Sequence, residues 1–234
     1  MLAINQLTYQ YQQAWFSFDL QVKRGSITAL MGPSGAGKST LLSLLAGFIA
    51  PHNGDILVDG QSILAKAPYQ RPFSMLFQEH NLFSHLSVRE NIALGLHPGL
   101  KLNAQQKTQV QWAAQQVGIE PFLDRLPAQL SGGQRQRVAL ARCFVQSHLI
   151  WLLDEPFSAL DPLLREEMLQ LVKSLAQARD ITVLMVTHHL NDAKTIASHF
   201  AFMDQGKVEV VGEVSALPKP QNHPAFAEFI RAGS

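Results

Sequence analysis

The sequence predicts an α/β protein with a mostly parallel β-sheet, an antiparallel β-subdomain near the N-terminus and a helical subdomain inserted in the core. Segments typical of strands and of helices alternate along the chain, residues 16–22 alternate between apolar and polar side chains, and residues 79–130 contain no convincing strand. We expect a single domain over residues 1–234, with the helical subdomain at approximately 79–147 and a C-terminal linker with a short helix at 213–234.

Two kinds of strand are predicted. The period-two alternation of residues 16–22 is typical of an antiparallel strand with one buried face. Other segments are almost continuously apolar, which is typical of strands buried on both faces of a parallel sheet; they lie at 27–31, 73–77, 149–153 and 181–186. Shorter strands are predicted at 56–58, 200–203 and 208–211.

The helices are predicted from the spacing of their apolar residues and from residues that end helices. Gly47 and Gly118 each follow an apolar segment with helical spacing. The Pro-rich segment 217–224 is typical of an exposed linker. Helices are therefore predicted at 39–46, 110–117, 162–179, about 191–198 and close to the C-terminus.

Charge and cysteine content exclude several classes of protein. The 19 basic and 18 acidic residues give a net charge of +1, which argues against nucleic acid as the main partner. The single cysteine, Cys143, excludes an internal disulfide and any zinc site built on paired cysteines, and it fits a reducing compartment. Neither a signal peptide nor an apolar run of about 18 residues is visible, so we expect a soluble, cytoplasmic protein.

The charged fraction of the chain is low. Only 16% of the residues are charged, against about 25% in typical globular domains. Glutamine makes up part of the difference and clusters at 105–116. Either glutamine replaces charged residues on solvated helices, or part of the surface is covered by another subunit.

Residues 32–39, GPSGAGKS, match the phosphate-binding loop pattern between a buried strand and a helix. Its glycines allow backbone N–H groups to wrap around phosphates, and the N-terminus of the helix adds positive potential. Lys38 is expected to reach the β- and γ-phosphates of ATP, and the Ser39 hydroxyl is expected to bind Mg²⁺. The segment predicts a P-loop NTPase core whose nucleotide-binding residues are Gly32, Pro33, Ser34, Gly35, Ala36, Gly37, Lys38, Ser39 and Thr40.

Two carboxylates end the apolar strand at 149–153. Asp154 at the strand tip can hold Mg²⁺, directly or through water. Glu155 follows where side chains turn toward the nucleotide, so its carboxylate can polarise the attacking water. Adjacent acids can also simply cap a following helix, but the phosphate-binding loop in the same chain favours the catalytic interpretation.

Residues 130–134, LSGGQ, precede a helical run. Ser131, Gly132, Gly133 and Gln134 form a second candidate anion-binding helix start, with Ser131 as the expected N-cap and hydroxyl donor. An ordinary helix cap is the alternative. Because the chain already has one phosphate-binding loop, this segment is expected to contact an ATP held by another copy of the protein.

The motifs in this order resemble those of the ATPase subunits of ATP-binding cassette (ABC) transporters, over residues 2–212. The resemblance implies that Gln78 is a catalytic residue that senses the γ-phosphate, helps to bind Mg²⁺ and contacts the membrane partner. It implies that Asp161 connects the two nucleotide sites of a dimer. It also implies that His188 binds the γ-phosphate and positions the water, whereas His189 is taken as an ordinary residue.

An aromatic residue is expected to stack on the adenine ring. Tyr11 lies upstream of the phosphate-binding loop where the ABC family places such a residue. Tyr9 and Trp15 are close enough in the sequence to take the same role. Simple packing within a strand is the alternative for Tyr11.

The resemblance also implies partners and a location. Two copies are expected to form a head-to-tail homodimer that binds membrane permease subunits through a groove near Gln78 and Phe83, at the cytoplasmic face of the cell (inner) membrane. A substrate-binding protein outside that membrane would act indirectly, and no nucleic acid is expected.

The transported solute is inferred from kinship alone. Residues 74–88, 95–106 and 157–169 are most similar to ATPase subunits of thiamine importers. Iron, polyamine and sulfate importers are the alternatives within the family. A non-transport ABC ATPase that acts on nucleic acid or ribosomes is the alternative of a different class.

Overall fold

A computed structural model describes residues 2–77, 81–217 and 223–232. Its strands are β1 Leu2–Tyr11, β2 Ala14–Val22, β3 Ile27–Met31, β4 Asn53–Val58, β5 Gln61–Ser62, β6 Phe73–Leu76, β7 Ile150–Asp154, β8 Thr182–Val186, β9 His199–Asp204 and β10 Lys207–Glu213. Its α-helices are α1 Lys38–Ala46, α2 Val88–Ala93, α3 Ala104–Gln116, α4 Gly132–Phe144, α5 Pro162–Ala178, α6 Leu190–Ile196 and α7 Pro224–Ala232.

The strands form one continuous sheet in the order β5-β4-β1-β2-β10-β9-β3-β8-β7-β6. Strands β9, β3, β8, β7 and β6 pair in parallel, whereas β1 pairs antiparallel with β2 and with β4. Strand β10 is antiparallel to β9 and meets β2 at one parallel pair, Lys207 with Ser17. The predicted α/β class is confirmed, and the antiparallel strands extend the same sheet rather than forming a separate layer.

Burial separates the two kinds of strand as the sequence predicts. Every residue of β3, β7 and β8 is buried, whereas the buried positions of β2 alternate toward its C-terminal end. The parallel strands are covered on both faces, so their carboxyl ends can present side chains at one edge of the sheet.

Strand β1 was not predicted, because residues 2–11 do not alternate regularly between apolar and polar side chains. Its pairing register shifts between Ile4 and Leu7, where Gln6 has a φ of 47° and its N–H donates to Oδ2 of Asp19 at 3.3 Å. Ile4 and Leu7 are both fully buried although they are three residues apart. A β-bulge adds one residue to the strand, and it therefore hides the alternation that marks strands in a sequence.

The region between β6 and β7 is helical within the described residues 81–149, as predicted. Helix α3 buries only Val110, Ala113 and Ala114, so its glutamines form a solvated face. Helices α2 and α3 pack against α4, and Phe144 of α4 stacks on Trp151 of β7 with ring centroids 5.2 Å apart. The helices thus share a core with the sheet, and the division into subdomains stays a prediction.

The predicted exposed linker, residues 217–224, differs from the structure at its first residue, Leu217. Leu217 is fully buried, and it packs in the same cluster as Phe226 of α7, because strand β10 and a following turn carry the chain along the core. Residues 218–222 of the predicted linker lie outside the described residues. Among the residues that the structure describes, no helix is long and apolar enough to cross a membrane.

Candidate functional site

A cavity of about 420 Å³ opens where β3 leads into α1, at the carboxyl edge of the parallel strands. The loop and the first turn of α1 form one wall, and residues that follow β7 and β8 form another. Its lining residues are Phe16, Gly32, Ser34, Gly35, Gly37, Lys38, Ser39, Thr40, Glu155 and His188. The structure therefore brings most of the predicted nucleotide-binding loop together with Glu155 and His188, two of the residues predicted to act in hydrolysis.

Lys38 is held across its own loop. Its Nζ donates to the carbonyl oxygens of Gly32 at 2.9 Å and Pro33 at 2.8 Å. Burial lowers the pKa of Lys38, and the carboxylates of Glu155 and Asp154 act in the opposite direction. The contacts hold a cationic group in a fixed position beside the cavity, which suits the recognition of phosphate oxygens.

The loop requires glycine at position 37. Gly37 has a φ of 96°, and a Cβ atom there would lie 2.7 Å from Cδ1 of Phe16. The loop backbone therefore passes directly against the aromatic ring from β2. Ala36, which the sequence places among the nucleotide-binding residues, is buried, and its N–H donates to the carbonyl of Pro33 at 3.3 Å.

Asp154 and Ser39 provide oxygen ligands that fit Mg²⁺. Asp154 is buried, its Oδ1 has no hydrogen-bond partner, and its carboxylate is hydrogen-bonded to the Ser39 side chain. Burial raises the pKa of Asp154, and the hydrogen bond from Ser39 opposes that rise. Mg²⁺ prefers a few such oxygens together with water and phosphate. In the described ranges no group of three or more His, Cys, Asp or Glu residues is placed to hold a metal ion.

Glu155 adopts an unfavourable backbone conformation. Its φ is 48°, its N–H donates to the carbonyl of Val186 at 3.1 Å, and its Oε1 lies 3.4 Å from Nδ1 of His188. Residues in sparsely populated backbone regions cluster at active sites, where neighbouring contacts hold them. The fold thus places the side chains of Glu155 and His188 next to each other. Their individual roles in hydrolysis stay predictions.

The LSGGQ segment forms a reciprocal helix cap. Oγ of Ser131 accepts from the N–H of Gln134 at 3.2 Å, and Oε1 of Gln134 accepts from the N–H of Ser131 at 2.8 Å. Asp161 caps α5 with a single hydrogen bond, in which its Oδ1 accepts from the N–H of Leu164 at 3.1 Å. None of Ser131, Gly132, Gly133, Gln134 and Asp161 is among the described residues that line the cavity.

The predicted adenine-stacking residue is not part of the cavity lining. Tyr11 ends β1 with 60% of its surface exposed, and its role stays a prediction. The aromatic ring at the cavity is that of Phe16, for which the alternating pattern of residues 16–22 predicts a strand position and no contact with a ligand. Tyr9 packs against Phe16 with ring centroids 6.4 Å apart. Gln78, predicted to sense the γ-phosphate and Mg²⁺, lies outside the described residues.

Comparison with known proteins identifies the family of this chain. A family model described as "ABC transporter" matches residues 16–158, which carry the phosphate-binding loop, the LSGGQ segment and the carboxylate pair. The chain belongs to the ABC transporter family. This ABC ATPase is 70% identical to the "Thiamine import ATP-binding protein ThiQ" of Vibrio cholerae over 99% of this chain and 98% of that relative. It is 57% identical to the protein of the same name from Yersinia pestis, over 93% and 92% of the two chains.

Solved structures agree with this assignment. The ABC ATPase superimposes with a TM-score of 0.83 on a dimeric ATP-binding cassette in a post-hydrolysis state bound to ADP and Pi. The two sequences are 29% identical, and the match covers 92% of this chain and 99% of the other. The predicted membership of the ABC family is confirmed, and the chain is an ATP-binding ATPase of that family.

Proposed function

We propose that this chain is the ATP-hydrolysing subunit of a thiamine importer. The observation that carries the proposal is near full-length identity of 57% to 70% with proteins named "Thiamine import ATP-binding protein ThiQ" from several bacteria. No residue of the cavity contacts the transported solute in this proposal. Thiamine is therefore assigned by kinship, and the geometry supports the ATPase cycle that would drive its uptake.

Two copies of the chain would bind two ATP molecules between them. The similar cassette that holds ADP and Pi is dimeric, and the LSGGQ residues of this chain do not line its own phosphate-binding cavity. A second copy would supply Ser131, Gly132 and Gly133 to that ATP, with Asp161 connecting the two sites. ATP binding would close the dimer, and hydrolysis would let it reopen.

Different residues around the cavity would bind the phosphates, hold Mg²⁺ and activate the water. Lys38 would bind the β- and γ-phosphates, while Ser39 and Asp154, with Gln78 as a further candidate, would hold Mg²⁺. When bound, Mg²⁺ neutralises charge on the phosphate oxygens. Glu155 would accept the proton of the attacking water. His188, whose Nδ1 lies 3.4 Å from Oε1 of Glu155, would orient that water and the γ-phosphate.

An exposed aromatic residue marks the proposed permease contact. Phe83 has 49% of its surface exposed, while its backbone is fixed by Asn91, which accepts from the Phe83 N–H at 2.8 Å and donates to its carbonyl at 3.1 Å. A rigid backbone that presents an apolar ring suits a protein interface. The chain would work at the cytoplasmic face of the inner membrane, with a substrate-binding protein acting on the other side.

Uptake measurements test the assigned solute. In cells that encode this chain and cannot synthesise thiamine, its deletion should abolish uptake of labelled thiamine at nanomolar concentration. The unchanged gene should restore uptake, and a Glu155→Gln gene should not. Unchanged thiamine uptake together with lost uptake of iron, a polyamine or sulfate would assign the alternative solute instead.

The hydrolytic role of Glu155 has its own experiment. Glu155→Gln should bind ATP, accumulate as an ATP-bound dimer in size-exclusion chromatography and lose hydrolysis, because the amide cannot accept a proton. Near-normal hydrolysis by Glu155→Gln would show that the base is another residue. An ATPase rate that depends on DNA, RNA or ribosomes would favour the non-transport alternative.

A further inference from the structure

Gln136 lies on α4, two residues beyond the LSGGQ segment, and its side chain contacts neither the cavity nor solvent. It is fully buried. Its Nε2 donates to the carbonyl of Glu155 at 3.0 Å, and its Oε1 accepts from the N–H of Ala159 at 3.1 Å. One carboxamide therefore binds both ends of residues 155–159, the loop that begins with the proposed general base, Glu155.

The same face of α4 touches this loop at a second point. A Cβ atom on Gly133 would lie 3.1 Å from the carbonyl oxygen of Ala159, so the helix backbone approaches the loop closely. Gly133 and Gln136 are three residues apart and so share one helix face. Movement of the first turn of α4 would consequently displace the loop that contains Glu155.

The backbone of Glu155 needs external contacts to keep its conformation. Its φ of 48° is unusual for a residue with a side chain. Its carbonyl accepts from Gln136 and from the Ser158 hydroxyl at 3.2 Å, and its N–H donates to Val186. The Gln136 amide is the contact that ties this conformation to the LSGGQ helix.

We propose that Gln136 is a positioning residue for ATP hydrolysis. It holds the main chain of Glu155 so that the carboxylate faces the cavity, and it couples that position to the helix that begins with the LSGGQ residues. The inference rests on the proposed role of Glu155 as the general base. It requires that loss of Gln136 lowers the rate of hydrolysis and leaves ATP binding intact, because the cavity lining does not include Gln136.

Steady-state kinetics of the full chain separates this role from a structural one. Gln136→Met keeps the length of the side chain and removes both hydrogen bonds. We expect kcat to fall by about 10- to 100-fold, the effect of a small misplacement of a reacting group, with KM for MgATP changed by less than about 2-fold. Gln116→Met on the exposed face of α3 is the matched control and should behave as the unchanged protein.

Two further measurements address the mechanism. The Ala159 amide should exchange its hydrogen faster in Gln136→Met, because its acceptor is lost. In a Glu155→Gln background, Gln136→Met should not lower the remaining single-turnover rate further, because it acts through Glu155. Gln136→Glu keeps an acceptor for Ala159 but cannot donate to Glu155, and it should show the same loss of kcat.

Several results would overturn the inference. One is a folded Gln136→Met protein whose kcat is within about 2-fold of normal, and another is a rise in KM at unchanged kcat. A third is unfolding of both Gln136 variants, which would show that the residue has a purely structural role. Full hydrolysis by Glu155→Gln would instead show that the proposed general base is wrong. If Glu155→Gln loses hydrolysis as expected while Gln136→Met stays active, the positioning role of Gln136 is refuted and the role of Glu155 is not.

Discussion

Nδ1 of His188 lies 3.4 Å from Oε1 of Glu155, although the two residues are 33 positions apart in the chain. Glu155 directly follows β7, and His188 follows the neighbouring parallel strand β8, in which Val186 pairs with Asp154. Adjacent parallel strands place their carboxyl ends side by side, so the acid and the imidazole border the same cavity. This placement is the geometry that a shared role in activating water requires.

His188→Ala should lower kcat for ATP hydrolysis by about 100-fold while ATP binding changes little, because the imidazole beside Glu155 is lost. The neighbouring His189→Ala is the matched control. Its ring lies 4.0 Å from that of His188 by ring centroids, but it is not part of the cavity lining, and we expect near-normal kcat. Single-turnover hydrolysis measures both. Equal losses in the two variants would contradict a specific role for His188.

Asp154→Asn should stabilise the nucleotide-free protein while it weakens Mg²⁺-dependent hydrolysis. Burial raises the pKa of Asp154 above its ordinary value of 3.8, although the Ser39 hydrogen bond and Lys38 oppose the rise. The folded protein therefore keeps this proton to higher pH than the unfolded chain does. Consequently the free energy of unfolding falls as pH rises between the two pKa values, and the deficit is complete above the folded-state pKa.

Thermal unfolding measured against pH tests that sign. Tm of Asp154→Asn should exceed that of the unchanged protein by about 2–4 °C at neutral pH, the shift that about 1 kcal/mol produces in a chain of this size. The difference should shrink as pH approaches 3.8. Asp124→Asn, whose exposed carboxylate lies 3.2 Å from Arg89, is the control and should leave Tm almost unchanged. A lower Tm for Asp154→Asn at neutral pH would contradict the prediction.

The two glycines of the LSGGQ segment should respond differently to alanine. A Cβ on Gly132 would meet nothing closer than 3.9 Å, so Gly132→Ala should leave Tm unchanged. Its ATP-dependent dimerisation should weaken by about 10-fold or more if a second copy presents ATP to this backbone. Size-exclusion chromatography in a Glu155→Gln background measures that dimer. Unaltered dimerisation would argue against the proposed contact.

Gly133→Ala should instead destabilise the single chain. Its Cβ would lie 3.1 Å from both the Ala159 carbonyl oxygen and Cδ2 of Leu160, and overpacking of this kind costs about 1–3 kcal/mol. Denaturant unfolding without nucleotide measures this cost. If Gly133→Ala is as stable as Gly132→Ala, the loop at Ala159 moves to accommodate the added methyl group more easily than its packing indicates.

Tyr11→Ala should weaken ATP binding by about 10-fold without changing the affinity for tripolyphosphate, because a stacked aromatic contacts only the base. Trp15→Ala, with a similar exposed fraction of 58% against 60% for Tyr11, is the matched control. Isothermal titration of both ligands measures the affinities. A selective loss in Trp15→Ala would transfer the stacking role to Trp15.

Some of the site was predictable because its determinants are local. The loop from Gly32 to Ser39 has a fixed residue pattern between a strand and a helix, and Asp154 directly ends an apolar strand. Backbone geometry then determines where these side chains lie. Strand β1 was not predictable in the same way, because the bulge between Ile4 and Leu7 breaks the alternation on which strand prediction depends.

The sequence by itself determined the α/β class and the family resemblance, and it predicted the groups that bind phosphate and Mg²⁺, since each of these follows from short patterns and from their order. Only the tertiary structure placed Phe16 against Gly37, joined Gln136 to Glu155 and Ala159, and kept the LSGGQ residues away from the cavity of their own chain. Those relationships depend on packing between segments distant in sequence, and no local pattern of residues specifies which distant side chain fills a given contact.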